Sequence, residues 1–374
     1  MIKKIFTFCA IMVLVSFNAY AATSDSISGP QISGHINTGM GFEHLSPQPA
    51  ASYGSNFAQQ GMTSLTSQQD KFLFYVGDVM LAVSQNFKDK ATLHAELQFG
   101  RLSSYSNKNF DIGQVYGTFN IKKIELLVGR FNAPIGSESP YINENDLPTY
   151  SLGYTYLLPH YLTGAKAYYQ FNDMFDLQVF AANDLRDSTY MKSNIPSFGA
   201  NLGFYYDKLT LHASGVFSPE INASKYGKRT YLFDVNAGYN LNDKIAFFIE
   251  GIYRYDSAFK GLDANKYYFG LGKVVYKLSD KWETVAQYSF LRDAQGPNGN
   301  AIMNSMPASQ MHVWGPNTSA SGIKGDYHEV AVGGSYYITD GAKIQGMYKL
   351  SVVSPNGFKR GLAQSMVCNF AYNF

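Results

Sequence analysis

The chain has 374 residues, 30 basic against 28 acidic, with aromatic and charged residues each at 16%. A soluble domain carries about 25% charged residues, yet the mean hydropathy is only −0.18, and beyond the first residues no apolar run of about 18 exists to make a helical span. Near-neutral charge gives no basic face for nucleic acid, whereas low charge with 29 Tyr, 27 Phe and 34 Gly points to a sheet closed on itself in lipid. A soluble β-sandwich or a secreted repeat protein is the competing class.

Met1–Lys4 carries two lysines, Ile5–Phe17 is almost wholly apolar, and Ala19-Tyr20-Ala21 is a small-x-small cleavage site. That pattern reads as a cleaved signal peptide over residues 1–21, with a mature protein over 22–374. Without the leader the 28 remaining bases balance the 28 acids, and Cys368 is the one cysteine left, so no internal disulfide is expected.

Period-2 alternation then recurs along the chain. In Ala91–Phe99, Leu93, Ala95, Leu97 and Phe99 oppose Thr92, His94, Glu96 and Gln98. In 244–255, Phe247, Ile249 and Tyr253 oppose Phe248, Glu250 and Arg254, and in 343–352, Ile344, Tyr348 and Leu350 oppose Gln345, Lys349 and Ser351. Strands of about ten residues, apolar on one face and polar on the other, are what a transmembrane barrel requires.

Short turns rich in Asn, Asp and Gly fall at 87–90, 120–123, 172–174, 206–208, 241–244, 278–281 and 339–341. Longer polar connections fall between them at 43–70, 102–110, 131–160, 185–196, 219–229, 256–264, 293–325 and 354–361. The alternation predicts a closed antiparallel all-β barrel of about sixteen strands, with short periplasmic turns, long extracellular loops and both termini on the periplasmic side, in the outer membrane of a Gram-negative bacterium. Residues 293–325 show no strand periodicity and are expected to be exposed and mobile.

About sixteen strands leave an aqueous channel where eight would fill with side chains. The inward set holds both charge signs: His94, Glu96, Glu125, Lys166, His212, Glu250, Arg254, Lys273, Lys277, Glu283, Glu329 and Lys349. Such a mixture predicts weak ion selectivity rather than a ring of one sign. The 131–160 connection is rich in Pro, Tyr and acid. Glu138, Glu144 and Asp146 lie in it, and Arg130 stands at its base. We expect it to fold into the barrel as a constriction, its acids facing basic wall residues.

Val128-Gly129-Arg130-Phe131-Asn132-Ala133-Pro134-Ile135-Gly136-Ser137-Glu138, then Leu162-Thr163-Gly164-Ala165-Lys166 and Ala181-Ala182-Asn183-Asp184 resemble the OmpL-like β-barrel porin family. The likeness is specific over about 120–185 and general elsewhere. A Gly-Trp pair usual in that family after the seventh strand is replaced by Asn183-Asp184. The resemblance implies a porin without naming a solute. Outer-membrane barrels commonly end in an aromatic strand, so by resemblance Phe374 is a signal to the barrel-assembly machinery, besides anchoring an aromatic girdle.

No G-x-S-x-G, H-E-x-x-H, P-loop or paired-cysteine motif occurs. The histidines at 35, 44, 94, 160, 212, 312 and 328 are never three to five residues apart, so metal-ligand spacing is missing. The expectation is therefore a porin passing small hydrophilic solutes by passive diffusion. It is no enzyme, has no cofactor, metal or nucleic-acid partner, contacts outer-membrane lipid, and could assemble as a homotrimer. An adhesion barrel acting through its long outer loops is the first alternative, and an outer-membrane hydrolase the second.

Overall fold

The computed structural model describes residues 29–46, 70–88, 90–100, 110–185, 195–221, 227–257, 264–294, 325–355 and 361–374. The leader and nearly all of 293–325 lie outside these residues. Sixteen strands follow in chain order: β1 Gln31–Ser46, β2 Asp70–Phe87, β3 Ala91–Gly100, β4 Phe110–Ile121, β5 Ile124–Asn132, β6 Tyr161–Asn172, β7 Phe175–Ala182 and β8 Ser197–Tyr206 make the first half. The second half is β9 Leu209–Ile221, β10 Gly227–Asn240, β11 Ile245–Asp256, β12 Asn265–Ser279, β13 Trp282–Asp293, β14 Gly325–Thr339, β15 Ala342–Pro355 and β16 Gly361–Asn373. Each pairs antiparallel with its sequence neighbours, and β1 closes on β16 from His35↔Asn373 to Ser46↔Leu362.

The turns form where short polar residues permit them. Lys88, Lys122 and Asp207 take positive φ of 48°, 57° and 47° in three of the hairpin turns. At two others Asn172 Oδ1 accepts from the Met174 and Phe175 amides (2.8 and 3.0 Å), and Asn242 Oδ1 accepts from the Lys244 and Ile245 amides (both 2.9 Å). Such side-chain acceptors replace ladder partners where the strand reverses. Two long connections are shorter than their sequence implies: β1 and β2 reach Ser46 and Asp70 within 43–70, and β9 and β10 reach Ile221 and Gly227 within 219–229. Their polar ends continue the ladder, since backbone pairing does not need an apolar side chain.

The closure seam depends on one glycine. Gly34 and Phe374 exchange both backbone hydrogen bonds (2.9 and 3.0 Å), and a Cβ on Gly34 would come within 2.6 Å of the Phe374 ring. The last residue thus completes the barrel wall, stacked on Tyr372 at 6.2 Å. Alternation sorts the faces as the sequence implies. Ile249, Val128 and Met366 are exposed outward, while Glu250, Leu127 and Val367 are buried inside.

Candidate functional site: the inward loop and the wall it meets

The chain between β5 and β6, residues 133–160, enters the barrel. Its one α-turn, α1 (Leu152–Tyr156), starts at Ser151, whose Oγ accepts from the Tyr154 amide. Gly136, at φ +89°, lets the chain turn toward the wall. There its amide donates to Asp234 Oδ1 (3.2 Å), and Ser137 donates to Glu250 through its amide (2.9 Å) and hydroxyl (3.2 Å).

Further along, the loop crosses to other strands. Tyr141 donates through its hydroxyl to Glu96 on β3 at 2.5 Å, and its ring stands edge-on to His35 of β1. Asn143 donates to Asn373 of β16 (2.6 Å), and the Asn145 carbonyl accepts from Gln345 (3.0 Å) and Lys343 (3.2 Å) on β15. Asp146 forms an ion pair with Lys273 of β12, and Thr149 accepts from Lys349 (3.2 Å), itself 3.4 Å from Glu329. The Leu157 carbonyl accepts from Arg254 (3.0 Å). A loop held at β1, β3, β10–β12, β15 and β16 is fixed across the width of the barrel.

Apolar packing backs these polar anchors. Ile135, Leu152, Tyr154, Leu157 and Leu158 are at most 3% exposed, and they join wall residues such as Phe131, Leu162, Leu232 and Leu291 in one cluster. A second, smaller cluster gathers Leu147 with Val275, Val285, Ala331, Met347 and Val367. Each buried apolar side chain contributes about 1.5–3 kcal/mol against exposure. Within the loop, burial holds the Tyr141 and Tyr154 phenols protonated. Burial also pushes the Glu138 carboxyl up, against the opposing effect of its bonds from Ser151. His160 stacks on Tyr154 (4.2 Å, 9°), and its Nε2 lies 3.1 Å from the Tyr154 carbonyl; burial pushes it down to about 4.

The four residues expected at a constriction are not arranged alike. Asp146 faces a basic wall residue, Lys273. Glu138 instead accepts from the Ser151 amide and hydroxyl, and Glu144 from Ser139 at 2.5 Å, so both bond the loop's own serines, and the wall lysines Lys273 and Lys343 act on them only through longer-range attraction. Arg130 lies under the loop base, donating to the Ile112 and Gly113 carbonyls (3.0 and 2.7 Å) with its guanidinium over the Tyr161 ring. Asp146 is therefore the one of the three acids in a direct ion pair with the wall, because serines five and thirteen residues away offer Glu144 and Glu138 nearer donors.

The wall residues divide in a second way. Glu96, Glu250, Arg254, Lys273 and Lys349 all hold the loop. His94 and Lys166 do not. His94 bonds Ser84 (2.7 Å) and stacks on Tyr116, and Lys166 has its ammonium over the Phe131 ring at 5.5 Å. Toward the turn end of β5–β9, the inward polar side chains of Glu125, Lys166, Tyr168, Gln178, Tyr205 and His212 stay half-exposed. Lys277 points inward at the turn end of β12 and is exposed. Tyr141, Ser137, Ser151 and Asp234 were not among the residues expected at the site, and Gln345 was expected on a polar strand face without a role in it. For Asp234 and Gln345 the signal was available, a polar residue at an inward strand position; for the loop residues no periodicity exists to use.

A model described as "Putative beta-barrel porin-2, OmpL-like" matches residues 31–348. No curated protein matches the sequence significantly. Among solved structures, the chain is similar to the outer membrane channel DcaP of Acinetobacter baumannii, with a TM-score of 0.63 at 13% identity over 92% of this chain and 98% of that one. It is similar also to an anion-selective porin from Comamonas acidovorans, with a TM-score of 0.64 at 10% identity, 92% and 99% covered. The trimer form of OmpT from Vibrio cholerae gives a TM-score of 0.61 at 12% identity, 94% and 100% covered. At these identities the structural likenesses establish the fold alone.

Proposed function

From its membership of the OmpL-like β-barrel porin family, to which this chain belongs, we propose that it is a water-filled pore for passive diffusion of small hydrophilic solutes. Family and fold are those of an outer-membrane channel. The observation that carries the finer reading is the half-exposed polar wall on β5–β9, where Glu125, Lys166, Tyr168, Gln178, Tyr205 and His212 face inward without a bond to residues 133–160. Inward polar groups in a barrel of this size face water, and a wall left uncovered by the loop is a route for solute. The loop occupies the rest of the section and sets the size limit.

Both charge signs line the lumen, so selectivity among ions is weak and exclusion is chiefly steric. Oligomeric assembly as a trimer is in keeping with the trimeric form of a structural neighbour. Phe374, which completes the wall beside Gly34, suits a role as the mark read by the barrel-assembly machinery.

Planar-bilayer recording of the purified chain tests the pore. Stepwise ohmic currents that fall as sugars of rising size are added support it. A bilayer that stays silent with correctly folded protein overturns it.

A further inference from the structure

The inner wall from β4 to β8 is ordered as well as polar. Phenols and carboxylates alternate strand by strand: Tyr116 on β4, Glu125 on β5, Tyr168 on β6, Asp176 on β7 and Tyr205 on β8. The ladder brings them side by side. Glu125 pairs directly with Tyr168, and Asp176 pairs with Gln170, one inward step from Tyr168. Tyr168 is within electrostatic reach of both carboxylates, and Tyr116, stacked on His94 at 4.9 Å, is within reach of Glu125. Tyr205 donates its hydroxyl to Asp176 Oδ2 at 2.8 Å.

Neither carboxylate is neutralised. Among the described residues Glu125 has no hydrogen bond and no cation within ion-pair distance. Asp176 is 5% exposed, and its Oδ1 has no hydrogen-bond partner among the described residues. That oxygen lies over Gly203, where a Cβ would meet it at 2.6 Å, so the facing strand position is left bare for it. Two cations stand on these five strands. Arg130 is turned to the Ile112 and Gly113 carbonyls under the loop base, and Lys166 has its ammonium over Phe131 at 5.5 Å, a step toward the loop. Beyond Tyr205, His212 of β9 is edge-on to the Tyr205 ring at 5.6 Å, its Nδ1 3.4 Å from Asn201 Oδ1.

A buried carboxylate oxygen without a donor is costly, and the group that relieves it carries N–H bonds or positive charge. The face of a phenol ring attracts an ammonium through its quadrupole, most strongly when water is excluded from the contact. An alkylated amine sheds water more readily than a small inorganic ion, so rings and carboxylates together select it while leaving small ions nearly unsorted. We propose that this strip binds small organic cations, protonated or quaternary amines, with Glu125 and Asp176 on the charge and the Tyr168 and Tyr205 faces on the carbon groups around it. That role rests on this arc being open to solute.

Binding is measured on the full chain in detergent by saturation-transfer NMR, against a detergent blank. The probes are choline, the uncharged alcohol in which carbon replaces its nitrogen, and glucose. Choline should bind about tenfold tighter than the alcohol, the effect of a cation–π contact at a partly desolvated wall. Glu125→Gln with Asp176→Asn should erase that preference, and Tyr168→Leu should reduce it. Asp243→Asn with Asp280→Asn, which removes as much charge from two turns at the same end of the barrel, should keep it. Equal binding of choline and the alcohol by the unaltered chain overturns the proposal, whether or not the variants fold. So does tighter binding of glucose, which would make the strip a saccharide site. A preference that survives Glu125→Gln with Asp176→Asn, or that the turn pair abolishes equally, overturns it too. Conductance does not enter these readings: a silent bilayer from a chain that prefers choline fails the pore alone, and a conducting chain without the preference fails the strip alone.

Discussion

The inner wall presents two arcs that the loop treats differently. Along β10–β16 most inward side chains beneath the loop are spoken for: Asp234, Glu250, Arg254, Lys273, Gln345 and Lys349 each bond a loop atom, and all of these but Lys273 are buried. Along the turn-end half of β5–β9 the inward side chains of Glu125, Lys166, Tyr168, Gln178 and His212 are half-exposed and bond nothing in the loop, and Tyr205 bonds Asp176 of the neighbouring wall (2.8 Å). The two arcs are made of the same residue types. What differs is whether a second layer of protein satisfies them, so charge in this lumen has two meanings: anchor on one side, solvated lining on the other.

The comparison is broken most thoroughly by removing the loop. Replacing 136–158 with a short linker should raise single-channel conductance several-fold, since the anchored arc would then face water too. Unchanged conductance would sink the constriction. Next in size, Lys349→Ala should cost roughly 3–5 kcal/mol in loop docking or barrel stability, because Glu329 is left buried beside it without its cation. Urea unfolding in detergent measures the loss. Lys166→Ala, on the open arc, should leave stability within about 1 kcal/mol, the range of a weak cation–π contact. Lys166→Glu should instead change the ratio of cation to anion permeability, read from zero-current potentials in a salt gradient. If Lys349 and Lys166 gave the same pair of effects, the division into two arcs would be wrong.

This division could be read only partly from the chain. Alternation placed Glu96, Lys166, Glu250 and Lys349 on the inner face, since a strand's period of two leaves no freedom once one neighbour is assigned. Turn chemistry placed every hairpin for the same local reason. The loop obeys no period, so which way Glu138 or Glu144 turns depends on the folded positions of Ser151 and Ser139. Nor does a strand residue announce what meets it from across the lumen: Lys273 and Lys166 look alike in sequence, and only the path of residues 133–160 separates them. Residues near one another in the chain were legible, and partners some hundred positions apart, such as Ser137 and Glu250, were not.

The smallest effect concerns acid. His160 is held in the neutral form, its Nε2 donating to the Tyr154 carbonyl and its ring stacked on Tyr154, and burial lowers it to about 4. Between about pH 6.5, the ordinary histidine value, and 4, a released loop binds a proton that the docked loop refuses. Docking therefore strengthens as pH rises through that window, and weakens as pH falls through it. Glu138 acts with the opposite sense: its raised carboxyl favours the protonated acid, so its contribution is full below the ordinary carboxylate range and lost as pH rises through the shifted value. The two groups therefore act on the loop in opposite senses, and the His160 contribution is the one confined between about pH 6.5 and 4. His160→Gln keeps a donor for the Tyr154 carbonyl without a titrating ring, and should remove the rise in current fluctuation as pH falls from 6.5 to 4 while leaving the contribution of Glu138. An acid limb that persists in that variant would assign it to another group on the wall, and would show that the stack on Tyr154 does not control how firmly the loop is seated.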